Sequence, residues 1–124
     1  MEAKLSRQNL SHLPTELPNT LRSLLAADNQ LTTLPHALFA CRALTTLGLA
    51  ANRLSALPDR LALLVELQVL RLADNLLEEL PEALGGCASL RELTLARNRL
   101  VTLPSSLARC PLVLLGAPAA RSQR

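Results

Sequence analysis

The sequence predicts a right-handed α/β solenoid: a concave parallel β-sheet backed by short helical or 3₁₀ convex turns. Three observations carry this. One spacing of 23 residues repeats along nearly the whole chain, through Leu21, Leu44, Leu67 and Leu90. Each repeat holds an alternating apolar stretch with the period of a strand buried on one face. Each also holds a Leu-Pro step followed by a helically spaced apolar pair, a leucine with a second leucine or a cysteine.

The columns fill in order. Leu24, Leu47, Leu70 and Leu93 form one, and Ala26, Leu49, Leu72 and Leu95 the next. Then come Asn29, Asn52, Asn75 and Asn98, followed by Leu31, Leu54, Leu77 and Leu100. Leu34-Pro35, Leu57-Pro58, Leu80-Pro81 and Leu103-Pro104 follow, and Leu38, Leu61, Leu84 and Leu107 complete the unit. Strands one repeat apart must run parallel, with their connections crossing behind the sheet. The asparagine stands where the chain turns out of the strand. Its side chain can both donate to and accept from backbone groups of adjacent turns, so it is the expected structural ladder. Proline fixes φ and lacks an N–H, which suits the first position of a helical turn.

Written out, the unit is LxxLxLxxNxLxxLPxxLxxLxx. It resembles the leucine-rich-repeat family in its intracellular form, with LP after the asparagine, from residue 1 to about 112. The resemblance implies a non-catalytic scaffold or adaptor that binds a protein partner on its concave sheet, as in cytoplasmic signalling. Two alternatives stay open. One is the recognition domain, or a fragment, of a larger enzyme such as a ubiquitin ligase or kinase. The other is a substrate-receptor or phosphatase-regulator subunit.

The expected organisation is a solenoid over residues 1–112, with turns at about 1–20, 21–43, 44–66, 67–89 and 90–112, then a divergent, disordered tail over 113–124. The first turn is irregular: Gln8 stands in the ladder column, and Leu13 to Leu21 is two residues shorter than Leu34 to Leu44. Its LPTELPNTLRSL segment has the compact spacing of some bacterial relatives. At the other end a strict period puts Gly116 and Pro118 where strand leucines belong. Leu112 to Leu115 are then expected to plug the last turn. The ends lack recognisable caps, which a solenoid needs to cover its core. A truncated longer repeat protein, or self-association through the open C-terminal end, would follow.

Composition narrows the function. Leucine supplies 34 of the 124 residues and Phe39 is the sole aromatic, so one packing environment recurs. The net charge of +3 comes from Arg109, Arg121 and Arg124; the rest of the chain balances. A basic face with interleaved aromatics is missing, which argues against nucleic acid. No secretory leader or bilayer-length apolar run is visible, so the expected compartment is the cytoplasm and no membrane contact is expected.

Chemistry-bearing residues fall into structural places. Cys41, Cys87 and Cys110 share an apolar column with Leu64 and read as small buried hydrophobes. A Cys87–Cys110 disulfide is geometrically conceivable but out of place in an intracellular chain. His12 and His36 occupy variable turn positions. Glu78, Glu79 and Glu82 read as a solvated outer patch. No catalytic residues, metal ligands or cofactor are expected.

The positions the repeat leaves free are the candidate binding residues: Arg22, Asp28, Arg53, Arg71, Asp74, Arg91, Glu92, Arg97 and Arg99. They border a floor of small residues: Ser6, Ala27, Ala50, Ala73 and Ala96. Arg71, Arg91, Arg97 and Arg99 gather at the C-terminal end and are expected to be mostly unopposed, with Asp74 and Glu92 nearby. Arginine offers bidentate donors, so one reading is a protein partner with an acidic segment; the other is a solvated, self-neutralising charge mosaic.

Overall fold

The computed structural model describes residues 1–115, with the backbone alone for Leu114 and Leu115. Six three-residue strands form one parallel sheet in sequence order: β1 (Glu2–Lys4), β2 (Ser23–Leu25), β3 (Thr46–Gly48), β4 (Val69–Arg71), β5 (Glu92–Thr94) and β6 (Val113–Leu115). Four 3₁₀ turns, and no α-helix among the described residues, form the opposite side: His36–Ala40, Asp59–Leu63, Glu82–Gly86 and Ser105–Arg109. This is the expected solenoid, with the convex segments resolved as 3₁₀.

The register shows what the period does. Leu24 pairs with Leu47, Leu47 with Leu70, and Leu70 with Leu93, each 23 residues on. These central leucines are fully buried, as are Leu21, Leu44, Leu67 and Leu90. Inward leucines from the sheet meet Leu38, Leu61, Leu84 and Leu107 from the 3₁₀ turns in one continuous core. Truncating a fully buried leucine such as Leu47 to alanine would cost about 2–5 kcal/mol, since neighbours on both sides are locked in register.

Proline takes a different place from the one expected. Pro35, Pro58, Pro81 and Pro104 lie just before the 3₁₀ turns, in extended geometry with ψ of 157°, 156°, 145° and 139°. Each carbonyl accepts the N–H of the leucine three residues on, at 3.0–3.2 Å. The proline therefore supplies the first acceptor of the turn and stands outside its helical run. Its ring fixes the extended approach, while its missing N–H costs nothing there.

Both ends depart from the 23-residue step. Ala3 pairs with Leu24, 21 residues on, and Leu93 pairs with Leu114, also 21 on. The first shortening was expected. The second corrects the reading that Gly116 and Pro118 fall in the strand columns and that Leu112–Leu115 form a plug. Two residues are lost between Cys110 and β6, so Leu114 takes the central column. A slip of two preserves the facing of every side chain, whereas a slip of one would invert it. The sheet thus takes in residues 113–115 of the expected tail; the disorder expected of the remainder concerns residues 116–124, which lie outside the described residues.

Candidate functional site

The asparagines join each turn to the one before. Asn75 Nδ2 donates to Leu49 O of the previous turn at 3.0 Å and to Leu72 O of its own turn at 3.1 Å, while its Oδ1 accepts the Leu54 N–H at 3.0 Å. Asn52 and Asn98 repeat the set. Asn29 reaches Leu5 O and accepts the N–H groups of Gln8 and Leu10. Asn29, Asn52 and Asn75 are buried; Asn98, on the last full turn, is half-buried. The ladder role expected of all four follows from this geometry.

The column before the asparagines is unusual. Arg7, Asp28, Ala51, Asp74 and Arg97 all have left-handed backbones, with φ between 57° and 60°. Non-glycine residues rarely hold this conformation unless the surroundings over-determine it. Here the N–H groups of Arg7, Asp28, Ala51 and Asp74 donate to Ala27, Ala50, Ala73 and Ala96 of the next turn at 2.8–3.0 Å. The alanine floor is therefore half-buried and works through its carbonyls.

The left-handed turns bring side chains of adjacent repeats together. Arg97 donates to both carboxylate oxygens of Asp74, at 2.5 and 2.8 Å. The guanidinium holds the Asp74 carboxyl below its ordinary range, and the carboxylate raises Arg97 in return. Arg7 approaches Asp28 at 3.5 Å. On the strands, Arg71 Nε lies 3.3 Å from Glu92 Oε2. The expectation of mostly unopposed C-terminal arginines is thus corrected: Arg71 and Arg97 each have a carboxylate. The pairs form because the columns place opposite charges on neighbouring turns. Among the described residues, Arg22, Arg53, Arg91 and Arg99 lie beyond ion-pair distance of any carboxylate, and all four are exposed.

An open groove of about 500 Å³ runs along the N-terminal ends of β4, β5 and β6, lined by Gln68, Val69, Arg91, Glu92, Pro111 and Val113. Of these, only Arg91 and Glu92 are among the sequence candidates; Gln68 and Val69 carry no charge to single them out, and only the two-residue slip sets Val113 beside Glu92.

The cysteine column packs as expected at Cys41 and Cys87, both fully buried, while Cys110 is half-buried. Their Sγ atoms contact carbonyls of the preceding turn: Pro18 O at 3.4 Å, Leu61 O at 3.3 Å and Cys87 O at 3.4 Å. Burial, aided by Cys110, pushes the Cys87 thiol up to about 11. His36 meets Arg60 of the next 3₁₀ turn through Nδ1. Glu82 bonds the Ser106 N–H through its carboxylate, and its carbonyl accepts the Ser106 hydroxyl at 2.6 Å. Glu78 and Glu79 remain exposed.

The repeat family is decided by the asparagine ladder on a 23-residue parallel sheet, together with a match of residues 42–100 to the family model for Leucine rich repeat. The chain is a leucine-rich-repeat solenoid. Solved structures of other leucine-rich-repeat proteins superpose on it. YopM from Yersinia enterocolitica is 35% identical with a TM-score of 0.72, over 94% of this chain and 26% of that one. A Shigella effector LRR domain is 36% identical with a TM-score of 0.72, over 92% and 47%. A Leptospira interrogans LRR protein is 30% identical with a TM-score of 0.68, over 80% and 28%. This leucine-rich-repeat chain therefore spans about a quarter to a half of those proteins. A comparison with curated sequences gives no match. No helix among the described residues is long and apolar enough to cross a membrane. Leucine-rich-repeat domains are in general protein-interaction modules, and this one carries their frame.

Proposed function

We propose that the chain is a non-catalytic scaffold or adaptor that holds a protein partner on its concave sheet. The observation that supports this is a set of charged side chains on the sheet face that the repeat itself does not require, among them the pairs Asp74–Arg97, Arg71–Glu92 and Arg7–Asp28, each joining adjacent turns. With Arg71 and Arg97 already opposed, an acidic segment of the partner is met by Arg53, Arg91 and Arg99. Charge reversal of Arg53, Arg91 and Arg99 together should abolish capture of the partner by the tagged chain, with circular dichroism confirming the fold. Capture at full strength by that triple variant would remove the reading.

The reading places the protein in the cytoplasm, where its three free thiols stay reduced, and fractionation of the tagged chain tests this. It leaves β6, last in the strand order, available for self-association, which sedimentation would report. A second reading has the chain serve as the recognition part of a larger protein. The short span relative to the similar structures favours it, one of them being itself a domain of an effector. A longer transcript bearing a further domain is its test.

A further inference from the structure

We propose that Arg53, Leu76 and Arg99 form a docking line for an acidic amphipathic helix of the protein partner. The helix would set two carboxylates on the arginines and an apolar side chain on Leu76. The proposal rests on the protein-recognition reading and narrows it to one rim of the sheet and one kind of partner.

These residues follow the ladder asparagines on three successive turns. Their N–H groups donate to the equivalent carbonyls of the turn before, Leu31, Leu54 and Leu77, each at 2.8 Å. The backbone therefore presents them in one column at equal steps. Side chains of neighbouring turns meet along this column: at its N-terminal end Gln30 Nε2 donates to Asn9 Oδ1. All three residues are exposed, and Leu76 is 37% exposed, on a chain whose leucines are otherwise mostly buried. Among the described residues, Arg53 and Arg99 have no carboxylate within ion-pair distance, unlike Arg71 and Arg97. Of the carboxylates on the same turn as Leu76, Asp74 pairs with Arg97, and neither it nor Glu78, Glu79 or Glu82 forms an ion pair with Arg53 or Arg99.

Spacing selects the occupant. Adjacent turns lie about 4.8 Å apart, so the two arginines are about 10 Å apart with Leu76 midway. On a helix, residues i, i+3 or i+4, and i+7 share a face and rise by about 5 Å and then about 10.5 Å. Acid, apolar and acid at those positions match cation, leucine and cation. An extended strand does not match, because its same-face positions fall at about 6.7 and about 13 Å.

The probe is a fluorescein-labelled, alanine-based peptide of about 18 residues, long enough to be helical, with Glu at i and i+7 and Leu at i+3 and i+4. Its control moves the second Glu to i+5, off the face. Fluorescence anisotropy with the full chain should show saturable binding of the probe and about threefold weaker binding of the control. Arg53→Gln and Arg99→Gln should each weaken the probe about threefold and together about tenfold, while Arg42→Gln, at an exposed position after the first 3₁₀ turn, leaves it unchanged. Absent binding, equal affinity for probe and control, or indifference to the two arginines would overturn the docking line. A probe that needs Arg71 and Arg91 instead overturns it while leaving the wider reading standing. Capture of the partner that survives every sheet-face charge reversal removes the wider reading itself.

Discussion

Arg97 grips Asp74 with two hydrogen bonds, from a left-handed turn one repeat further along the chain. The pairing makes stability depend on pH in one direction. The Asp74 carboxyl is depressed in the folded protein, first by the Arg97 hydrogen bond. Its contribution is therefore present above the ordinary carboxylate range and is lost as pH falls through the lowered value. Asp74→Asn should be less stable than wild type at neutral pH, and urea titrations should show the gap closing in acid. A gap of constant size from pH 7 to pH 3 would contradict this.

The asparagine ladder should be graded by burial. Asn75→Ala strands the Leu54 N–H inside the molecule, at about 1–3 kcal/mol for an unsatisfied buried group, while Leu49 O and Leu72 O keep the Asn52 and Asn98 amides as donors. A loss of about 1–3 kcal/mol is expected in urea unfolding. Asn98→Ala should cost less, because water reaches that half-buried position. Equal losses at the two sites would show that burial is not the deciding factor.

The third and fourth 3₁₀ turns touch at Gly85. A Cβ added there would stand 2.4 Å from Ser106 Cβ and 2.6 Å from Ser106 O. Gly85→Ala should therefore destabilise by about 1–3 kcal/mol through overpacking. Ser106→Gly in the same chain should recover part of the loss, since the carbonyl contact remains. A thermal melt of the double variant no better than the single would refute the contact as cause.

Thiol chemistry should rank the cysteines. At pH 8 the Cys87 thiol, pushed up to about 11 by burial and by Cys110, yields little thiolate. Half-buried Cys110 is raised as well, but reagent can reach it. Iodoacetamide followed by peptide mass spectrometry should modify Cys110 first and Cys41 and Cys87 only on unfolding. Early modification of Cys87 would mean that its turn opens readily.

Most of the frame was legible because a solenoid repeats one environment. Leu47, Leu70 and Asn75 are placed by counting in steps of 23, and each count lands on a buried residue. The Asp74–Arg97 pair was also readable, as opposite charges one period apart. Which carboxylate Arg97 takes depends on the left-handed turns, which the charge pattern alone does not show. Two features lay beyond the pattern. Extended or helical geometry at Pro35 depends on where the carbonyl finds its donor, and proline suits both. The slip before β6 depends on Leu114 outcompeting Gly116 for the central column, a choice between registers that a fixed period hides.

The interior steps of 23, bounded by a step of 21 at each end, make the frame extensible in fixed units. A second copy of residues 44–66 spliced in after Glu66 would meet neighbours in the register it already uses, and the asparagine bonds would close on either side. The length of the recognition surface is thus a free variable of this architecture, adjustable one turn at a time without redesigning either terminus.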